Sequence, residues 1–249
     1  MMLQNTIAEL APVIAHRGAS GHAPENTLAA ISAAAGFGAQ CIEIDVSISA
    51  DQIPYVHHDD TLDRCTSGTG LLCEQTADQL DDLDASKLMP QFSPEPLPRL
   101  SAVIALLDEK NLGLNLEIKP RKGLESATVD AIAAELEKSW PQRLPLVFSS
   151  FNTLALEIAL QRISWVDRAL LVGKLPADWQ QQVSAYQCAN LHLAASHITA
   201  DQVSNLKQSG LGLYAYTVND STEATKLLQW GIDGVFTDFP DRMLNRYPA

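Results

Sequence analysis

Three short segments of the chain carry side chains that could hold a metal ion and move protons. They are His16-Arg17-Gly18, Glu43-Ile44-Asp45 and Glu117-Ile118-Lys119. Carboxylate oxygens are the ligands that Mg²⁺ and Ca²⁺ prefer, and the lack of a thiolate in these segments disfavours zinc. Imidazoles donate and accept protons near neutral pH. These residue types therefore indicate acid–base chemistry assisted by a divalent cation.

The spacing of the acidic residues predicts that they share one site. Residues i and i+2 of a strand lie on the same face, so Glu43 and Asp45 point together, as do Glu117 and Lys119. Burying three carboxylates close together without a cation would cost several kcal/mol per charge. We therefore expect Glu43, Asp45 and Glu117 to bind one divalent cation, Mg²⁺ or Ca²⁺.

A second histidine comes from a predicted β-hairpin. The strands on either side of Ser49–Ile53 are too close in sequence for a helical crossover, and a turn at Asp51-Gln52 would place Asp45 opposite approximately His58. Because adjacent strand residues alternate faces, His57 and His58 cannot both point inward. We expect His58 to lie beside the carboxylates.

His16 and His58 would then flank the cation, as a general acid and base require. Arg17 and Lys119 add positive charge suited to a phosphate. Each signal alone has a simpler explanation, such as an exposed loop around His58 or a structural ion pair between Glu117 and Lys119. Their coincidence at consecutive predicted strand ends favours a functional site.

The elements that must position these residues alternate between strands and helices. Strands followed by helices are predicted near residues 13, 43, 116, 147, 170, 192, 215 and 236. Eight such units in 249 residues predict a (β/α)8 barrel, an α/β fold whose catalytic side chains lie at the carboxyl ends of the strands. An open doubly wound sheet is the alternative, but no G-x-G-x-x-G motif follows the first strand, which argues against a dinucleotide site.

One domain over residues 1–249 is expected, with an insertion at about residues 59–98. The insertion contains Thr66-Ser67-Gly68-Thr69-Gly70, an acidic run near residues 78–84 and four prolines. Residues of this kind favour turns and loops. We therefore expect mixed short elements or a lid here, not a second full domain.

The excess of acidic residues argues against nucleic acids and anionic membranes as partners. Lys and Arg number 17 and Asp and Glu number 30, which gives a formal charge of -13. Such a chain lacks the basic face that nucleic acids and anionic membranes attract. No run approaches the roughly 20 apolar residues of a membrane span, and segment 1–18 lacks the basic and apolar regions of a secretory signal. We expect a cytoplasmic protein that acts on a small molecule, with no nucleic-acid or membrane partner.

Taken in order, these motifs resemble those of the glycerophosphodiester phosphodiesterase family, and the resemblance spans nearly the whole chain. The matching segments are His16-Arg17-Gly18, Ala23-Pro24-Glu25-Asn26-Thr27, Glu43-Ile44-Asp45-Val46, Val56-His57-His58-Asp59-Asp60, Leu116-Glu117-Ile118-Lys119-Pro120, Tyr216-Thr217-Val218-Asn219 and Gly234-Val235-Phe236-Thr237-Asp238. The short form is similar to the bacterial cytoplasmic enzymes of the family.

The resemblance implies a distorted TIM barrel with a small insertion after the second strand, and a divalent metal, Mg²⁺ or Ca²⁺. The family often has Trp where Tyr216 stands; tyrosine keeps the aromatic wall and adds a hydroxyl. The implied roles are acid–base catalysis by His16 and His58, metal binding by Glu43, Asp45 and Glu117, and substrate binding by Arg17, Lys119 and Tyr216.

The implied reaction is hydrolysis of a glycerophosphodiester, such as glycerophosphocholine or glycerophosphoethanolamine, to sn-glycerol 3-phosphate and an alcohol. Two other interpretations stay open. One is a phospholipase D-like or phosphoinositide-specific lyase-type phosphodiesterase on the same barrel, and the other is a non-catalytic metal-binding barrel. An enzyme acting on lipid surfaces is expected to show an exposed apolar loop or a basic patch, whereas the insertion is acidic and proline-rich.

Overall fold

The computed structural model describes residues 10–245, and eight parallel strands within them close into a barrel. The strands, including one outside the barrel, are β1 Val13–Ala15, β2 Cys41–Ile48, β3 Pro54–Val56, β4 Gly113–Ile118, β5 Leu146–Ser150, β6 Asp167–Val172, β7 Cys188–Ala194, β8 Gly212–Tyr216 and β9 Gly234–Thr237. β1 pairs in parallel with both β2 and β9, which closes the ring. β3 is the exception, because it pairs antiparallel with β2 on the outside of the ring. The (β/α)8 prediction is confirmed, and the open-sheet alternative is wrong.

Helices surround the barrel, and one short helix lies in the segment after β3. They are α1 Leu28–Gly36, α2 Ala77–Asp81, α3 Leu100–Lys110, α4 Glu125–Ser139, α5 Thr153–Arg162, α6 Trp179–Ala185, α7 Ala200–Lys207, α8 Ser221–Trp230 and α9 Pro240–Leu244. Local signals set their ends: the Thr27 hydroxyl caps α1 by accepting from the Ala30 N–H, and Gly231 ends α8 with a left-handed φ of 110°. Within residues 10–245, no helix has the length and apolar character needed to cross a membrane.

Apolar side chains fill the middle of the barrel. Ile14, Val147, Tyr214 and Phe236 pack against one another there, together with Cys41, and each is buried. Larger apolar clusters lie between the strands and the surrounding helices. The carboxyl ends of the strands, where barrel enzymes place their active sites, lie beyond this packed interior.

The segment between β3 and α3 has an apolar cluster of its own. Besides α2 it contains two 3-10 turns, at Leu72–Glu74 and Pro90–Phe92. Leu72, Leu80 and Tyr55 of β3 are buried together in this cluster. The Tyr55 hydroxyl also lies 2.6 Å from an Asp81 carboxylate oxygen. These contacts attach the segment to the hairpin.

The hairpin register differs by one residue from the prediction. Asp45 lies opposite His57, whose N–H donates to the Asp45 carbonyl oxygen at 2.9 Å, and not opposite His58. The prediction assumed a two-residue turn, but the loop has one more residue, since Gln52 takes a left-handed φ of 62° and Ser49 pairs with Ile53. Face alternation does not extend to the two histidines, because β3 ends before them.

Candidate active site

The carboxylates of Glu43, Asp45 and Glu117 meet at the carboxyl ends of β2 and β4. These strands pair in parallel with Asp45 in register with Glu117. One oxygen of each carboxylate lies within 4.8 Å of the others. Glu43 and Asp45 are only 4% and 1% exposed. The structure therefore brings together the three residues predicted as metal ligands.

These carboxylates are not electrically balanced by the protein alone. Burial, reinforced by Asp45 and Glu117, raises the pKa of Glu43 well above its usual range. Burial and Asp45 likewise raise the pKa of Glu117 to about 7. Burial also opposes ionisation of Asp45, but Lys119 and Arg17 hold the pKa of Asp45 below its ordinary value. A buried oxygen cluster with a deficit of positive charge fits a divalent cation.

The His16 ring is held by a carboxylate from the other end of the chain. Its Nδ1 lies 2.7 Å from Oδ1 of Asp238, which follows β9, and its Nε2 lies 3.9 Å from Oε2 of Glu43. Ser20 and Asn219 donate further hydrogen bonds to the Asp238 carboxylate. Burial opposes ionisation of Asp238, but these hydrogen bonds, led by that to His16, lower the pKa of Asp238 to about 2. The ring is thereby fixed with Nε2 toward the carboxylates.

His58 has an equivalent support. Its Nδ1 lies 2.6 Å from Oδ1 of Asp59, and Asp59 in turn pairs with Arg64 at 2.6 Å. Arg64 also binds Glu25 at 2.6 Å, so the ring belongs to a network of alternating charges. Burial lowers the pKa of His58, which favours the neutral imidazole. With Nδ1 engaged, Nε2 is the nitrogen available to a substrate.

Arg17 and Lys119 lie directly against the carboxylates. The Arg17 backbone N–H donates to Oε2 of Glu43 at 2.9 Å, and its Nε lies 3.3 Å from Oδ2 of Asp45. Lys119 Nζ lies 3.5 Å from Oδ1 of Asp45 and 3.2 Å from Oε1 of Glu117. Both predicted phosphate-binding groups are therefore held beside the candidate metal site.

A cavity of about 250 Å³ opens beside these groups, and His16, Arg17, His58 and Lys119 line it. Tyr216 forms part of its wall. The Tyr216 hydroxyl donates to the Val172 carbonyl oxygen at 3.0 Å, so the extra polar group is engaged by the backbone and the ring remains as an aromatic surface. Phe151, which is 51% exposed, packs edge-on against Tyr216 at 6.0 Å and extends this surface to the cavity mouth.

Sequence reasoning left out the side chains that orient the catalytic candidates. Asp59 is next to His58 in sequence, which is a usable signal, whereas Asp238 is 222 positions from His16. Asn26 was also missed: its amide donates to Oδ2 of Asp45 at 2.8 Å and accepts from the Asp45 N–H at 3.2 Å. Asn26 lies in the turn before α1, and no spacing rule links it to a residue on β2.

Comparison with known proteins agrees with this fold and shows the family. The model of the glycerophosphoryl diester phosphodiesterase family matches residues 16–242. A glycerophosphodiester phosphodiesterase of Caldanaerobacter subterraneus is 33% identical over 241 residues, which cover 94% of this chain and 96% of that protein. The chain belongs to the glycerophosphoryl diester phosphodiesterase family.

Two solved structures have the same architecture. An Oleispira antarctica phosphodiesterase in complex with the product sn-glycerol-3-phosphate has a TM-score of 0.94 and 41% identity, covering 96% of this chain and 98% of that one. A glycerophosphodiester phosphodiesterase from Agrobacterium tumefaciens has a TM-score of 0.79 and 25% identity, covering 95% and 100%. The barrel and its closure are thus shared across nearly the full length of each chain.

Proposed function

We propose that this protein hydrolyses glycerophosphodiesters to sn-glycerol 3-phosphate and an alcohol. The observation that carries the proposal is one cavity lined by two imidazoles, each ring oriented by its own carboxylate, beside a cluster of three carboxylates of which Glu43 and Glu117 line the cavity. The sn-glycerol-3-phosphate found in the Oleispira antarctica relative supports the product class.

Glu43, Asp45 and Glu117 would hold a divalent cation, either Mg²⁺ or Ca²⁺. All of their donor atoms are hard oxygens. The pKa values of Glu43 and Glu117 are raised because the protein supplies too little positive charge to stabilise these buried carboxylates, and a divalent cation would supply it. When bound, the cation supplies Lewis-acid stabilisation of charge on a phosphate oxygen. The protein contributes the fixed ligand geometry.

His16 and His58 act as the acid–base pair. Each has Nδ1 tied to a carboxylate, so each presents Nε2 to the cavity. One imidazole accepts the proton of the attacking hydroxyl, which belongs to water or to the neighbouring glycerol group, and the other protonates the departing alcohol. Attack by the glycerol hydroxyl gives a cyclic phosphate, which a water molecule then opens to sn-glycerol 3-phosphate. Asp238 and Asp59 stabilise the imidazolium formed on either ring.

Arg17 and Lys119 bind the phosphate. The guanidinium offers several N–H donors in one plane, and the Lys119 ammonium beside the carboxylates adds a compact charge. Tyr216 and Phe151 provide an aromatic surface at the mouth. A quaternary or primary ammonium head group can rest on such a surface, which favours glycerophosphocholine and glycerophosphoethanolamine as substrates.

The protein is proposed to work in the cytoplasm on small molecules. Its four cysteines are free thiols, as a reducing compartment would keep them. The formal charge of -13 disfavours nucleic acid and anionic membrane surfaces as partners.

Substitution of each histidine tests the proposal. His16→Ala and His58→Ala should each lower kcat for glycerophosphocholine by about 10²–10⁴, whereas His197→Ala, at an exposed imidazole in the 3-10 turn after β7, should not. EDTA should abolish turnover, and added Mg²⁺ or Ca²⁺ should restore it. Near wild-type turnover by both active-site variants, or full activity in EDTA, would overturn the assignment.

A further inference from the structure

The floor of the active-site cavity carries buried polar atoms for which the described residues provide no partner. They are Oδ1 of Asn115 and both ring nitrogens of His192. Asn115 is 1% exposed and His192 is 0% exposed, and both line the cavity. Buried polar groups are normally hydrogen-bonded, and leaving one unpaired costs free energy. Side chains of this kind therefore indicate a ligand that completes their hydrogen bonds.

The floor directly adjoins the candidate metal ligands. Asn115 is in register with Glu43 on the neighbouring strand and precedes Glu117 by two positions on β4. Its amide nitrogen donates to Oγ of Ser149 at 2.9 Å, which fixes the amide, and its Oδ1 has no partner among the described residues. A group attached to a phosphate at the carboxylates would therefore reach the floor.

His192 is held without polar contacts. Its ring packs against Phe236 at 4.9 Å and edge-on against Tyr214 at 5.5 Å. Burial lowers the pKa of His192 to about 3, so the imidazole is neutral near physiological pH. A neutral imidazole offers one N–H donor and one acceptor nitrogen.

The polar groups on the cavity floor are uncharged, which determines the kind of ligand group that can bind there. Asn115, Ser149 and His192 present donors and acceptors without formal charge. A hydroxyl group both donates and accepts, so it matches this set. An ammonium would leave the imidazole N–H unpaired, and an alkyl group would satisfy none of these atoms. The cationic end of a diester is better placed at the aromatic mouth.

We propose that Asn115 and His192 form a hydroxyl-recognition subsite that receives the glycerol end of the substrate. The subsite makes them specificity-determining residues and directs the alcohol to be released toward Tyr216 and Phe151. This inference rests on the proposed glycerophosphodiesterase function, because it assigns which end of that substrate lies inward.

The test compares two phosphate monoesters that differ only in hydroxyl groups. Calorimetry in saturating Mg²⁺ measures the affinity for sn-glycerol 3-phosphate and for propyl phosphate. The wild-type protein should bind the glycerol ester at least about tenfold more tightly, since a site built for hydroxyls rejects analogues that lack them. His192→Leu should bring the two affinities within about threefold, whereas His192→Gln, which keeps a donor and an acceptor, should retain part of the preference.

Asn190→Leu is the matched control. Asn190 lies two positions earlier on β7, is equally buried and also lacks a partner, but it lines a separate cavity together with Leu10, Lys207 and Asp233. Its replacement should leave the preference for the glycerol ester in place. In the ligand-free protein, His192→Leu should unfold at the same or a higher temperature, because it removes unpaired polar atoms; a purely structural histidine would give a lower temperature.

Two outcomes would overturn the subsite: a wild-type protein that binds both esters equally, or a His192→Leu variant that keeps the full preference. Failure of the proposed hydrolysis can be distinguished from failure of the subsite. If the wild type hydrolyses no glycerophosphodiester but its preference for the glycerol ester is lost in His192→Leu, the subsite holds and the proposed reaction fails.

Discussion

Replacing Asp238 by asparagine tests whether His16 works through the nitrogen that faces the cavity. Asp238 Oδ1 lies 2.7 Å from Nδ1 of His16, and a pKa of about 2 keeps this carboxylate ionised near neutral pH. An ionised carboxylate only accepts hydrogen bonds, so in a neutral ring the proton sits on Nδ1 and Nε2 is left as an acceptor. The amide of asparagine can also donate, which allows the opposite tautomer and weakens stabilisation of the imidazolium.

The magnitude follows from the size of acid–base catalysis. A positioned histidine contributes a factor of about 10²–10⁴ to the rate. Loss of its orientation should therefore lower kcat by at least about 10² and by no more than about 10⁴. The lower figure corresponds to about 2.7 kcal/mol of transition-state stabilisation at 1.36 kcal/mol per tenfold. Asp238 is not among the residues that line the cavity, so KM should stay within about threefold of the wild-type value.

The assay is the initial rate of glycerophosphocholine hydrolysis with saturating Mg²⁺. Asp241→Asn is the matched control, since Asp241 lies 2.7 Å from Nε2 of His22, a similar pair outside the cavity. This control should keep kcat within about twofold of wild type. An Asp238→Asn variant with wild-type kcat, or with a loss confined to KM, would refute the orienting role of Asp238.

Three further substitutions probe charge and packing. Glu43→Gln should stabilise the metal-free protein at neutral pH by about 1 kcal/mol or more, because burial raises the pKa of Glu43 and its charge opposes folding above the pKa of the unfolded chain. The variant should also lose the rise in melting temperature that Mg²⁺ gives the wild type, as thermal unfolding would report. Arg64→Ala should destabilise the protein by only up to about 1 kcal/mol at neutral pH, since Arg64 is 39% exposed. The pKa of Glu25, its partner, is lowered, so this contribution is present above the unfolded pKa of about 4.3 and is lost as the pH falls through the folded-state pKa. Urea unfolding at neutral pH and at a pH below the folded-state pKa of Glu25 would detect the difference. Leu80→Ala should cost about 2–5 kcal/mol in urea unfolding, because Leu80 is 0% exposed in the apolar cluster between β3 and α3. A cost below about 1 kcal/mol would show that this cluster does not fold with the barrel.

The barrel and its acidic cluster follow from periodic features of the sequence. Strand spacing predicts eight βα units, and the alternation in Glu43-Ile44-Asp45 predicts which side chains face inward. Neighbouring parallel strands align their carboxyl ends, so Glu117 on β4 reaches the same point as Asp45 on β2. These rules depend only on which segments are strands or helices and on their order along the chain, and both can be predicted from the sequence.

The orienting groups depend on features that no local pattern encodes. Asp238 meets His16 only because the last barrel strand closes against the first. The register of the hairpin was missed by one residue because Gln52 adopts a left-handed conformation that lengthens the loop, and non-glycine residues do so uncommonly. His58 nevertheless lines the cavity, since the segment after β3 departs from strand geometry.

Charge balance explains why binding of cation and substrate should be linked at this site. Because Glu43 and Glu117 have raised pKa values, a bound cation is what favours ionisation of all three carboxylates of the cluster. Arg17 and Lys119 then leave Glu43, Asp45 and Glu117 with one net negative charge. A phosphodiester would bring a second negative charge into a buried space, where such repulsion is strong. A divalent cation cancels both charges, so the neutral assembly is the one containing protein, cation and diester together. The diester should therefore bind measurably only when the cation is present, and a diester that binds with equal affinity in EDTA would contradict this balance.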